Sequence, residues 1–92
     1  MSETRRRYTV IVERQVDKVL RRLPQDVLHR VDRLLLNLAD EPRPAGCKKL
    51  KGYDSLYRLR IGDWRLIYAI EDDKLVVLVI ELAPRGQVYR DL

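Results

Sequence analysis

The chain has 92 residues, 46% apolar and 36% charged, which suits one packed domain over 1–92 and excludes disorder. Nineteen Lys and Arg against fourteen Asp and Glu leave +5 at pH 7, so a polyanion is a natural partner. A single cysteine, Cys47, excludes a disulfide framework and a Cys-rich zinc site, and no apolar run reaches the roughly 20 residues of a membrane span.

The segment Met1 to Arg7 is basic, but the apolar stretch behind it is only Tyr8 to Val12. A signal-peptide core needs about 7–15 apolar residues, so a cytoplasmic, reducing location is expected. Tyr8 to Val12 is instead rich in β-branched residues and reads as a strand. Val16, Val19, Leu20 and Leu23 follow the i, i+3, i+4, i+7 spacing of an amphipathic helix. Pro24 ends it and suits the start of the next, whose stripe is Val27, Leu28, Val31, Leu34, Leu35 and Leu38. Glu41 precedes Pro42 and is pushed out of the helical region, so this helix should stop near Asp40. So short a link makes the two helices an antiparallel hairpin. Pro42, Pro44 and Gly46 then form a loop into the basic run Lys48-Lys49-Leu50-Lys51.

The second half reads as a sheet, with strands at Tyr57 to Ile61, Trp64 to Ile70 and Leu75 to Leu82. Gly62-Asp63 is a two-residue link of the kind that makes a type II′ hairpin. With that pair at the turn, Ile61 faces Trp64, Arg60 faces Arg65, Leu59 faces Leu66, Arg58 faces Ile67 and Tyr57 faces Tyr68. One face then holds Ile61, Trp64, Leu59, Leu66, Tyr57 and Tyr68, a core to receive the helices. The other holds Arg58, Arg60, Arg65, Ile67 and Ala69. The expected fold is therefore α+β: an N-terminal strand and a two-helix hairpin packed on one face of a small, mainly antiparallel twisted sheet. The last strand is apolar on both faces, which fits either a central strand or an outer face awaiting a partner.

The type and placement of the bases matter more than their sum. Fourteen are Arg and five are Lys, and Arg offers phosphate a planar, permanently charged fork. Between Arg43 and Arg65 stand seven bases and only two acids, Asp54 and Asp63, so this quarter of the chain carries +5. Arg60 opposite Arg65 sets like charges across the strands, which costs stability. Arg58 shares their face, and on these two strands no acid is interleaved. The last strand should return its C-terminal end beside Arg65, bringing Arg85 and Tyr89 of the tail close to the arginines.

Such a set limits the chemistry. The sequence shows no Ser-His-Asp arrangement and no metal-ligand cluster, so no metal or cofactor is expected. Arginine cannot act as a base, but it neutralises phosphate and stabilises charge that builds on its oxygens. Tyr89 could act as base or orienting group if flanking Arg charge lowers its ordinary pKa of about 10. A site of this kind suits attack by an RNA 2′-OH on the adjacent phosphate, a route closed to DNA. Lys48, Lys49 and Lys51 are candidates for further RNA contact. His29 reads as a helix-surface residue, Cys47 as a structural thiol and Trp64 as a core residue.

The ordered set Lys49-Leu50-Lys51-Gly52, Tyr57-Arg58-Leu59-Arg60-Ile61-Gly62-Asp63-Trp64-Arg65-Leu66-Ile67-Tyr68, Pro84-Arg85 and Val88-Tyr89-Arg90 resembles the RelE/ParE toxin superfamily, on its RelE side. The likeness runs from Tyr8 to Arg90. It implies a metal-independent endoribonuclease toxin of a type II toxin–antitoxin pair, which enters the A site of the 70S ribosome and cuts mRNA there. It also implies a cognate antitoxin partner whose complex represses its own operon, and no membrane. Carried over, Arg58 and Arg60 match two basic positions of the family's first sheet strand, and Arg65 its phosphate-contacting arginine. Arg85 matches the arginine that stabilises the phosphate or leaving group, and Tyr89 the tyrosine that acts on the 2′-OH. Two departures stand out: Arg58 and Arg60 occupy positions that are often Lys, and Pro84 stands where many relatives have His or another polar residue. Both shift proton transfer onto Tyr89. The alternative within the superfamily is a ParE-like inhibitor of DNA gyrase that cuts nothing.

Overall fold

The structure, a computed structural model, describes residues 7–84. Its elements are β1 (Thr9–Val12), α1 (Arg14–Leu20), α2 (Gln25–Asp40), β2 (Lys48–Lys49), β3 (Leu56–Ile61), β4 (Trp64–Glu71) and β5 (Val76–Pro84), with a 3-10 turn at Asp72–Lys74. The strands form one sheet in the order β1-β5-β4-β3-β2. All pairs are antiparallel except β1 with β5. The α+β expectation holds. Among the described residues no helix is long and apolar enough to cross a membrane.

The helices end where their sequence requires. Pro24 caps α2 with φ −58°, a value its ring fixes in advance, and Glu41 is extended at φ −134°, as the following Pro42 demands. The helices lie on one face of the sheet, and their Val16, Leu20, Val31 and Leu38 are buried against Leu59, Leu66, Tyr68 and Val79. Tyr68 is fully buried; its hydroxyl donates to the Pro42 carbonyl at 2.9 Å, and its ring stacks on Tyr57 with centroids 6.0 Å apart. Burial pushes the Tyr68 phenol well above its ordinary pKa, with Cys47 adding to the effect.

The hairpin register agrees with the sequence pair for pair, from Ile61 opposite Trp64 to Tyr57 opposite Tyr68. Gly62 sits at φ +58°, the left-handed value that the first position of such a turn needs. Two features of the sheet were not anticipated. Lys48 and Lys49 are a short edge strand rather than loop, opposite Arg58 and Tyr57. The register of β4 with β5 also shifts between Ile67 and Tyr68, which face Glu81 and Val79, leaving Ile80 as an extra residue. The Ile80 carbonyl accepts a hydrogen bond from Gln15 Nε2 of α1 at 2.7 Å, so the bulge is held by the helix above it.

The strand β5 is interior, between β1 and β4, but only one of its two apolar faces is fully covered. Val77 and Val79 are fully buried, while Val76 and Leu78 are half-buried and Ile11, opposite Leu78 on β1, is 46% exposed.

Candidate nucleic-acid interface

The site grows out of the hairpin. Because side chains alternate along a strand, the register that buries Leu59, Ile61 and Leu66 turns Arg58, Arg60 and Arg65 to the opposite face. Arg60 pairs directly with Arg65 in the register, so two arginines are cross-strand neighbours. Arg60 is exposed, whereas Arg58 and Arg65 are half-buried. Their Nε atoms are closed to solvent, and that of Arg58 makes no hydrogen bond among the described residues. The stems therefore lie along the sheet while the charged tips reach out. Ile67, between them on the same face, is fully buried.

Strand β2 adds a fourth cation, since Lys48 is opposite Arg58. Lys48, Arg58 and Arg60 together line a cleft of about 240 Å³ that also touches Gly46 and Leu59. Lys49 is opposite Tyr57 and Lys51 lies in the turn beyond β2, both exposed, so the register brings neither into the arginine row.

The row of Arg58 and Ile67 continues to Glu81 on β5, so an acid does stand beside the patch once the third strand is in place. Arg43, one of the seven bases of the basic quarter, is not part of the patch. It forms a two-pronged pair with Asp72 at 2.8 and 3.2 Å, donates from Nε to the Tyr57 hydroxyl at 3.2 Å, and lies 5.1 Å from the Tyr57 ring centre. Tyr8 donates to the same carboxylate at 2.7 Å. The Arg43 and Tyr8 hydrogen bonds hold the Asp72 carboxyl at about 2, and Asp72 raises the Arg43 pKa in turn.

The return of β5 matches the sequence argument, with Arg65 opposite Ala83 and Trp64 opposite Pro84. Arg85 and Tyr89, the two tail residues of the expected set, lie outside the described residues. Trp64 packs against the core and His29 is exposed on α2, in line with their readings from sequence. One residue near the site went unnoticed in the sequence. Arg30 of α2 reaches over the β3–β4 turn, its Nη1 3.3 Å from where a Cβ on Gly62 would lie. The available signal was its spacing, three residues before Arg33 on the polar side of the helix.

A family model described as the ParE toxin of the type II toxin–antitoxin system, parDE, matches residues 7–89. A RelE1 protein of Methanocaldococcus jannaschii is 30% identical over 88 residues, covering 92% of this chain and 98% of that protein. The mRNA interferase toxin RelE of Escherichia coli K12 is 32% identical over 78 residues, covering 80% of this chain and 81% of its own. Among solved structures, the archaeal RelE–RelB complex from Pyrococcus horikoshii OT3 superposes with a TM-score of 0.80 at 35% identity, covering 88% of this chain and 98% of that one. A sheet presenting three register-locked arginines thus sits on a chain that matches these toxins over nearly its whole length, and the chain belongs to the ParE toxin family of type II toxin–antitoxin systems, as a RelE-like toxin.

Proposed function

We propose that the protein is an endoribonuclease toxin that cuts mRNA in the ribosomal A site and is neutralised by an antitoxin. The observation that carries the reading is the pairing of Arg60 with Arg65 beside Arg58 and Lys48, a row of cations on one sheet face that a phosphodiester backbone would relieve. The relative named an mRNA interferase supports the activity, and the relative solved with RelB supports the antitoxin partner.

In this reading the substrate supplies its own nucleophile. The 2′-oxygen attacks the adjacent phosphorus, the bond to the 5′-oxygen breaks, and a 2′,3′-cyclic phosphate and a 5′-hydroxyl result. Arg58, Arg60 and Arg65 hold the phosphate and stabilise charge as it builds on the non-bridging oxygens. Arg85 stabilises charge at the phosphate or leaving group, Tyr89 takes the 2′-OH proton as a phenolate favoured by the flanking arginines, and the departing 5′-oxygen takes a proton from water. Lys48, Lys49 and Lys51 add backbone contacts, Lys48 closest to the arginines. The protein acts in the cytoplasm, as a single domain, and needs no metal ion.

The test is to map transcript 5′ ends in a reconstituted translation reaction. Cleavage phased to codons should appear with the wild-type protein, stop when translation is blocked, and disappear with Arg65→Ala and Tyr89→Phe. Gyrase inhibition with intact transcripts would replace this reading by the ParE-like one.

A further inference from the structure

Glu81 brings a negative charge into the cationic end of the sheet. On β5 it is opposite Ile67, which is opposite Arg58, so the three residues share one row. Arg65 lies two residues from Ile67 along β4 and is opposite Ala83, which makes it the diagonal neighbour of Glu81. Diagonal neighbours of this kind sit about 7–8 Å apart, within reach of long side chains. Ile67 at the centre is fully buried, and Arg58, Arg65 and Glu81 around it are all half-buried, whereas Arg60 is exposed. The Nε atoms of Arg58 and Arg65 are closed to solvent as well. Three long side chains thus pack around one apolar residue, with opposite charges as neighbours.

An acid in this place works against the hold on RNA. It repels phosphate and competes with it for the same N–H donors. A face that only gripped a polyanion would grip it better without Glu81. A guanidinium, however, carries five N–H donors and can serve a carboxylate and a phosphate together. An arginine oriented in advance also meets the charge that builds in a transition state without reorganising. The placement of Glu81 therefore suits orientation of the arginines, not affinity.

We propose that Glu81 is a positioning residue of the RNA site, which orients Arg58 and Arg65 for the reaction while weakening the hold on the RNA backbone. It acts through the two arginines and does not itself touch the reacting atoms. The effect on cleavage rests on the ribonuclease reading above; the effect on RNA binding does not need cleavage.

The test compares the wild-type protein with Glu81→Gln, which keeps the shape and removes the charge, and Glu81→Asp, which keeps the charge. Affinity for a fluorescein-labelled single-stranded RNA is read by anisotropy at one fixed salt concentration. Cleavage is read in the reconstituted translation reaction at saturating protein. Glu81→Gln should bind the RNA about two- to fivefold more tightly, yet cut about 10- to 100-fold more slowly. Glu81→Asp should recover much of the cleavage. Tighter binding also shows that the Gln variant is folded. The tightening should vanish when Glu81→Gln is made on an Arg58→Ala, Arg65→Ala background, because the carboxylate then has no arginine to act on. Equal tightening on both backgrounds would reduce Glu81 to a general field and overturn the proposal. Cleavage by Glu81→Gln at the wild-type rate would overturn it, and so would weaker RNA binding in step with slower cleavage. A wild-type protein that binds RNA without cutting it would sink the ribonuclease reading, and the binding comparison across the two backgrounds would then decide the positioning by itself.

Discussion

Arg43, in the loop after α2, and the arginines of the β3–β4 hairpin are handled in opposite ways. At the end of the sheet near the Asp72–Lys74 turn, Arg43 has every need met. It has two oxygens of Asp72, the Tyr57 hydroxyl and the Tyr57 ring face. It ties the loop after α2 to the β4–β5 turn, while Tyr8 ties the start of β1 to the same carboxylate. At the other end, Arg60 faces Arg65, Lys48 faces Arg58, and the Arg58 Nε is closed to solvent with no hydrogen bond among the described residues. The first arrangement is what stability selects. The second sets like charges opposite each other on neighbouring strands, an arrangement that costs stability. A basic stretch of sequence is therefore not one thing: Arg43 and Arg58 lie fifteen positions apart, yet one is tied to Asp72 and Tyr57 while the other stands in a cross-strand row with Lys48, Ile67 and Glu81.

Substitutions sharpen that contrast. Arg65→Ala should show the largest effect, lowering the rate of transcript cleavage by about 100- to 1000-fold, as expected for a donor to a charged transition state. Arg43→Ala should do the reverse. It should leave cleavage near the wild-type level and lower stability in urea melts by about 1 kcal/mol, the worth of a charged hydrogen bond discounted for solvent exposure. Equal loss of cleavage in both variants would erase the distinction between the two ends. Arg60→Thr should raise stability by a few tenths of a kcal/mol, because it removes a like-charge pair and places a β-branched residue in a strand, while weakening RNA binding. A destabilised Arg60→Thr would mean that the row is already balanced within the fold.

The smallest effect concerns pH. The Asp72 carboxyl sits at about 2, below its ordinary 3.8, because Arg43 and Tyr8 donate to it. A lowered folded-state pKa contributes stability that is complete above the unfolded value and fades as pH falls from about 4 towards 2. Thermal melts over that range should fall less steeply for Asp72→Asn than for the wild type. Parallel curves would show that the tie contributes nothing to acid stability.

Much of this fold was legible because its signals are local. Gly62-Asp63 sets the hairpin turn, and alternation then assigns each side chain from Tyr57 to Tyr68 to a face, since a slip of one residue would bury the arginines. Helix ends at Pro24 and Glu41 follow from the proline ring. The features that escaped depend on pairings between distant residues. Lys48-Lys49 carries no turn signal and becomes a strand only because β3 offers an edge. The bulge at Ile80 belongs to the fit between β4 and β5, and Gln15, sixty-five positions away, stabilises it. Glu81 enters the row of Arg58 only through Ile67.

A sheet with one apolar and one cationic face follows from residues 57–68 alone, because the period of two is written into them, and so does the dominance of arginine over lysine on that face. Which bases are drawn into pairs and which gather in the row depends on packing. Charge is additive along a chain, but its effect depends on distance, and distance is set by packing: Asp72 reaches Arg43 and withdraws it, Lys48 moves up beside Arg58, and Arg30 swings over Gly62 towards Arg60.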